Sequence, residues 1–505
     1  MKSPGIRFLA AFLLAALALP AAAQDLASFE KRITVKKLDN GLTILICERP
    51  EAPVFSFFTH VDVGSVQEVP GITGLAHMFE HMAFKGTDKI GTSDYEKEKV
   101  ALEKVEQAYA AYDTERRRPV GRDEEKVGAL RKAWDDAVTD ANQYVVVNQF
   151  DEIIDRNGGV GLNAFTNTDE TGYFFSMPSN RLELWAYLES ERFLKPVMRE
   201  FYKERDVVLE ERRMRTDSQP VGRLFEQFLA ASFIAHPYQR PVVGWTSDLT
   251  TFSATDAMEF YKKNYVPANM VVALVGDVKI AEALPLMEKY FGRLPAGPKP
   301  EPTRTVEPVQ KAERTVVLRE TSQPFYFEGY HRPDSRDPDD AIYNAISDVL
   351  SKGRTSRLYK SLVRDKKAAV FAGGFNGFPG DKYPHLFAFL TVPAAGHTPQ
   401  EMAEGVHAEL ERLKTEDVSD EELQGVKTRA KSDLIRGLAS NQGLANQLGS
   451  AQDRFGDWRE LFHQVDKIEK VTKEDIRRIA NQIFAPTNRT VAMIETVKPA
   501  AKGGQ

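Results

Sequence analysis

An α+β fold is predicted for this chain: two tandem homologous α/β-sandwich domains, with a helical hairpin inserted in the first. Three observations lead there. The segment Tyr265-Val-Pro-Ala-Asn-Met-Val-Val-Ala-Leu-Val275 aligns without gaps on Phe484-Ala-Pro-Thr-Asn-Arg-Thr-Val-Ala-Met-Ile494, an offset of 219 residues, close to the length of a domain. Asp256 and Asp475 keep the same register upstream, each in a helix-like stretch that Ser253 or Thr472 can open as N-cap. Residues 292–308, between the two copies, are dense in Pro, Gly and charge and read as an exposed, stiff linker. At 505 residues the chain is also too long for one ordinary core.

The elements follow in order. Lys2 and Arg7 precede an apolar run over residues 8–19, followed by Pro20 and three alanines. A charged start, a short apolar stretch and an Ala-x-Ala site predict a secretory signal peptide over 1–23, hence a periplasmic or secreted protein. The run is too short to span a bilayer comfortably, so no stable membrane insertion is expected. The first domain then covers 24–291 and the second 309–498, with a tail at 499–505. Alternating apolar residues place strands at 33–35 and 42–46 in the first half and at 314–318 in the second. Cys47, the one cysteine, falls in such a run and reads as a buried strand residue rather than a nucleophile. A formal charge of −6 gives no global attraction to nucleic acid or anionic membrane.

Residues 95–146 look inserted. Leu102, Val105, Tyr109 and Tyr112 recur at helical steps, as do Val127, Leu130, Trp134 and Ala137, with Pro119 and Gly121 between the runs. This predicts an antiparallel helical hairpin that serves docking or lid movement, removable between Ser93 and Val147 without loss of metal binding.

The chemistry is concentrated in His77-Met-Phe-Glu80-His81. On a helix these three side chains share one face. Two neutral imidazoles are good zinc ligands, and the glutamate is placed to act as a general base on a water the metal activates. The order is His-x-x-Glu-His, the inverse of the commoner zinc-protease motif. With 9 His and 73 acidic residues, a chance match is expected roughly 0.02 times per chain. Two histidines are an incomplete site, and a third ligand is needed. Residues 203–214 offer Glu204 and Glu211, seven apart on one helix face. On spacing alone the same stretch also fits an exposed helix laced by Arg205, Arg212 and Arg213.

The motif, continuing as Met82-Ala-Phe-Lys-Gly-Thr87, resembles the active-site helix of the insulinase/pitrilysin-like zinc peptidases, the inverzincins. The run from Gly158 to Tyr173, the Glu204–Glu211 helix, His236-Pro-Tyr-Gln-Arg-Pro241 and the run from Gly353 to Val363 are similar to the same family in the same order. Size and layout resemble its short subfamily, which includes the mitochondrial processing peptidase subunits and bacterial relatives. The resemblance implies that His77, His81 and Glu211 bind one Zn²⁺ per chain. It makes Glu80 the general base and Glu204 a carboxylate that steadies the site from outside. The stretch between His81 and Glu211, 130 residues, is longer than the family's usual gap, and the hairpin accounts for the excess.

The resemblance also implies that a peptide substrate adds as a strand along Asn163, Ala164, Phe165 and Thr166, with Arg364 of the second half steadying it. Where the family carries a tyrosine, this chain has Val370 followed by Phe371, neither of which donates a hydrogen bond from its side chain. The second half has no His-x-x-Glu-His. A dimer is therefore expected, with a metal-free homologous subunit that supplies the missing donor favoured over a homodimer. The expected function is an exported zinc endopeptidase or oligopeptidase acting on peptides or unfolded segments in a clamshell chamber. The alternative is a structural or chaperone-like subunit of the same fold within a larger complex.

Overall fold

The computed structural model describes residues 26–497. The predicted signal peptide and the 499–505 tail lie outside the described residues. In the first half β1 (Ile33–Lys37), β2 (Thr43–Glu48), β3 (Val54–Val61), β4 (Val160–Thr166), β5 (Thr171–Pro178) and β6 (Met270–Gly276) form one sheet, in the order β1-β2-β6-β3-β5-β4. In the second half β7 (Arg314–Glu320), β8 (Phe325–Arg332), β9 (Ala369–Phe378), β10 (His385–Pro393) and β11 (Arg489–Thr496) run β7-β11-β8-β10-β9. Apart from β1 the two orders are the same. Each sheet has one parallel pair, β2 with β6 and β7 with β11, and the other neighbours are antiparallel. The repeat read in the sequence is thus a repeat of the whole sheet.

Both copies of the repeated segment use the same local devices. The helices Ala254–Asn264 and Lys473–Ile483 open with capping boxes, Ser253 with Asp256 and Thr472 with Asp475. Short turns at Pro267–Asn269 and Pro486–Asn488 then lead into β6 and β11. The Asn269 amide donates to the carbonyls of Asp62 and Asn264, both at 3.0 Å. Asn488 does the same for His331 at 2.8 Å and Ile483 at 3.0 Å. The asparagine at each turn thus ties the end of the preceding helix to the end of β3 or β8.

The halves are separate in sequence but not in packing. The helix Pro220–Ser232 belongs to the first half, yet it covers β7 and β11, with the Phe225 and Phe228 rings 4.8 and 4.6 Å from Phe327. In return the helix Asn441–Phe455 lies on β3 and β6, burying Leu444, Ala445 and Leu448 against Phe58, Val271 and Ala273. The other face of the first sheet packs on helices of its own half, including Leu182–Leu194. Each sheet therefore borrows a helix from its neighbour. Cys47 is buried on the borrowed-helix face, where burial pushes its thiol up to about 11, as suits an inert core residue. The 292–308 linker is also tied down. Glu307 accepts N–H groups from Ile234, Ala235 and His236, and the Lys299 ammonium reaches Asp62 at 3.2 Å.

The inserted hairpin is present as two helices, Tyr95–Arg116 and Glu124–Asn142, capped by Asp94 and Asp123. Its side chains pack into the first half. Tyr109 and Trp134 close on Tyr202, with ring centroids 4.5 and 5.0 Å apart, and the Tyr109 hydroxyl accepts from Arg205 at 2.9 Å. Glu98 forms a fully buried ion pair with Arg199. The hairpin is part of the core that backs the residues 199–212, and excising it would take Glu98 from Arg199 and the Tyr109 hydroxyl from Arg205.

Candidate metal centre

The motif helix runs from Leu75 to Met82 and buries Leu75, Met78, Phe79 and Met82. Phe79 packs on Tyr261 and Tyr265, with centroids at 5.2 and 5.3 Å, which turns His77, Glu80 and His81 toward the opposite side. Its entry is a glycine because Gly74 has φ +94°, and a Cβ there would meet the Val243 carbonyl at 2.7 Å. The first turn is capped from a distance. The Glu68 carboxylate accepts the N–H groups of Gly74 and Ala76, both at 2.8 Å, and burial pushes its carboxyl up to about 8.

The second helix of the site is Phe201–Arg212. The exposed, arginine-laced alternative is excluded by its packing, since Arg205 and Arg212 are buried. Arg205 donates to the Phe252 carbonyl at 3.1 Å and Arg212 to the Gly244 carbonyl at 2.7 Å. These bonds set the helix rotation, so that Glu204 and Glu211 face the motif helix. Glu210 points away, with 52% of its side chain exposed against 16% for Glu211, and pairs with Arg213.

Across the gap, Glu211 Oε2 lies 3.6 Å from His77 Nε2 and 3.5 Å from His81 Nε2. The two imidazoles are 4.9 Å apart and nearly perpendicular. One ligand atom from each of the three residues lies within 4.8 Å of the others. Bonds of about 2.1 Å to a tetrahedral Zn²⁺ place neighbouring ligand atoms about 3.4 Å apart, so this donor set fits the ion. The other oxygen of Glu211 is taken by Arg215. Burial holds His77 down at about 4, which keeps it neutral and ready to ligate. Burial also opposes protonation of His81, but bonds to Glu204 and Glu211 raise it to about 9. Metal binding would displace that proton. Glu204 resists ionisation by its burial, yet His81 and Lys85 bring it to about 2.

Glu80 sits beside these groups, its carboxyl raised by burial against a hydrogen bond from Thr166 on β4. β4 pairs with β5 alone and forms the open edge of the sheet. A cavity of about 330 Å³ between this edge and the motif helix is lined by Glu80, Phe84, Asp151, Asn163 and Ala164. The predicted residues Asn163 and Ala164 are thus at the site. The Phe165 side chain is on the opposite face of the sheet, 6.0 Å from Phe58, so that only its backbone is at the edge. Arg364 is exposed on the second half, bonded to Asp365 at 2.6 and 3.0 Å, and is not among the residues lining this cavity. Val370, 61% exposed, and Phe371 stand on β9, the open edge of the second sheet.

Glu68, Lys85 and Arg215 went unassigned in the sequence. Arg215 was legible in principle, four residues after Glu211 on a helical surface. The second half has counterparts to both helices of the site, Asp340–Ser351 and Asp420–Gly437, and neither contains histidine. They are joined by an ordinary ion pair, Arg429 Nε to Asp348 at 2.8 and 3.1 Å, in place of a converging ligand set.

The duplicated sheet thus carries converging His, His and Glu ligand atoms between two helices of its first copy. Residues 43–115 match the insulinase (peptidase family M16) model, and residues 251–430 match that of the M16 inactive domain. The chain belongs to this insulinase-like zinc metallopeptidase family. It is 28% identical to the zinc protease PqqE of Helicobacter pylori, over 86% of both chains. An uncharacterized zinc protease of Mycobacterium tuberculosis is 25% identical, over 89% of this chain and 90% of that one. Among solved structures, a protease from Helicobacter pylori superposes with a TM-score of 0.76 at 25% identity, covering 92% of this chain and 99% of that one. The periplasmic protease PqqL of Escherichia coli shares the fold at a TM-score of 0.68 and 19% identity. There the match covers 93% of this chain but 49% of PqqL.

Proposed function

We propose that this chain is an exported zinc-dependent endopeptidase or oligopeptidase that cleaves peptides or unfolded segments in a clamshell chamber. One observation carries the reading: three ligand atoms converge next to a half-buried glutamate and an open sheet edge. His77, His81 and Glu211 would hold one Zn²⁺ per chain, which when bound supplies the Lewis acidity that makes a water nucleophilic near neutral pH. Glu80 takes the proton of the attacking water and passes it to the leaving amine. The substrate lies along β4, hydrogen-bonded to backbone groups of residues 163–165, with a side chain in the cavity beside Glu80. Export rests on residues 1–23 and on the periplasmic relative. Among the described residues, no helix is long and apolar enough to cross a membrane.

The test is zinc content measured together with cleavage of an unstructured peptide. About one zinc per chain and chelator-sensitive cleavage are expected. A chain that binds zinc but cleaves nothing, alone or with its native partner, would support the scaffold alternative.

Glu211→Gln should lower zinc affinity by more than the ~10–100-fold that loss of an outer-sphere partner costs. Glu210→Gln, on the solvent side, should leave metal content near wild type. Zinc titration of the two variants side by side decides the register.

Pairing is the second part of the proposal. The match to 49% of PqqL means that PqqL has room for two such units in one chain, and we infer that a closed chamber here also takes two. Val370 also leaves the second half without the expected donor. Light scattering under assay conditions should give the mass of a dimer, with a metal-free homologous subunit as the favoured partner over a second copy. A fully active monomer would defeat the pairing.

A further inference from the structure

Lys85 lies four residues beyond His81, just past the end of the motif helix. Its ammonium reaches Glu204 Oε1 at 2.5 Å and Glu200 Oε2 at 3.3 Å. The other oxygen of Glu204 faces His81 Nδ1 at 3.5 Å. The lysine is mostly buried in this arrangement, with 19% of its side chain exposed. Its backbone is also held: the Lys85 carbonyl accepts from Arg199 Nη1 at 2.6 Å. The same guanidinium binds the carbonyls of Thr87 and Ile90 and pairs with Glu98. Close packing of the loop requires glycine at Gly86, φ +90°, where a Cβ would meet the Ile90 carbonyl at 2.2 Å.

We propose that Lys85 is a positioning residue for the reaction. By gripping one oxygen of Glu204 it turns the other toward His81 Nδ1. That carboxylate keeps the proton of the neutral ring on Nδ1 and leaves Nε2 free, directed at Glu211 and the metal. Without Lys85, Glu204 has a free rotor, and His81 loses both its tautomer preference and its ring orientation. Lys85 itself touches neither substrate nor metal. A surface lysine pair would contribute little, but this one is enclosed between two carboxylates on a rigid loop. The inference rests on the zinc centre proposed above and adds a residue to it.

The experiment compares wild type, Lys85→Met and Lys85→Arg as full-length mature chains, with any native partner present. Zinc affinity is measured by competition with a chromogenic chelator, thermal unfolding on the metal-free proteins, and kcat and KM on the zinc-saturated ones. Lys85→Met should bind zinc about 10–100-fold more weakly. When saturated, it should lose kcat at least tenfold with KM changed less than about twofold. Lys85→Arg should restore most of both, since it keeps the charge. Equal zinc affinity in wild type and Lys85→Met overturns the positioning role, even if the metal-free variant melts earlier, because a merely structural lysine moves only the melting temperature. Failure of Lys85→Arg to restore zinc affinity overturns it as well. A wild-type chain that takes up no zinc overturns the underlying centre instead, and the wild-type titration alone shows which has failed.

Discussion

Glu80→Gln is expected to keep one zinc per chain while peptide cleavage falls by roughly 10²–10⁴-fold. The substitution is nearly isosteric. Its amide oxygen can still accept the Thr166 hydroxyl that meets Glu80 at the edge strand. What it removes is a group able to take a proton, and burial had already raised that group's affinity for one. His77, His81 and Glu211 keep their mutual geometry because none of them relies on Glu80 for position. Metal analysis and turnover on the same preparation check this. Zinc-loaded Glu80→Gln protein that cleaves at near wild-type rate would end the assignment of Glu80 as base, whereas loss of zinc would show that it supports the ligands.

How much of this was legible in the sequence depends on how local the determinants are. The N-caps Ser253 and Thr472 are local signals and formed as expected, each completed by an aspartate three residues on. The repeat at an offset of 219 residues specifies a duplicated fold by itself. The motif histidines are one turn apart on one helix, so their convergence is also local. The choice between Glu210 and Glu211 is not. It depends on which face of Phe201–Arg212 is turned inward, and buried bonds from Arg205 and Arg212 to distant carbonyls decide that. Read as charges, those arginines suggest a solvated surface; in the fold they are the anchors. The same is true of Glu68, whose role in capping the motif helix depends on a loop folding back over it. Exchange of helices between the halves had no signal in the sequence at all. Amphipathicity shows that Asn441–Phe455 must bury a face, but not that the face belongs to the other sheet.

The hairpin gives the largest expected effect on stability, through the buried pair Glu98–Arg199. Both side chains are almost fully enclosed, at 0% and 1% exposure. Arg199 uses all its nitrogens, with Glu98 on one side and the carbonyls of Lys85, Thr87 and Ile90 on the other. Arg199→Met is therefore expected to destabilise the fold by about 3–5 kcal/mol, the usual cost of leaving one partner of a buried pair alone. The Lys85 and Thr87 carbonyls lose a donor at the same time, while that of Ile90 keeps the Thr87 N–H. Replacing both partners, Glu98→Met with Arg199→Met, should cost less than Arg199→Met alone, because no buried charge is left over. Since the freed loop includes Lys85, zinc affinity should fall together with stability. Deleting the hairpin between Ser93 and Val147 should go further, as it also takes the Tyr109 hydroxyl from Arg205 on the helix of Glu204 and Glu211. Urea unfolding of the variants followed by zinc titration under native conditions measures both quantities. A hairpin-deleted chain with wild-type stability and zinc affinity would show that the insertion is a detachable appendage after all.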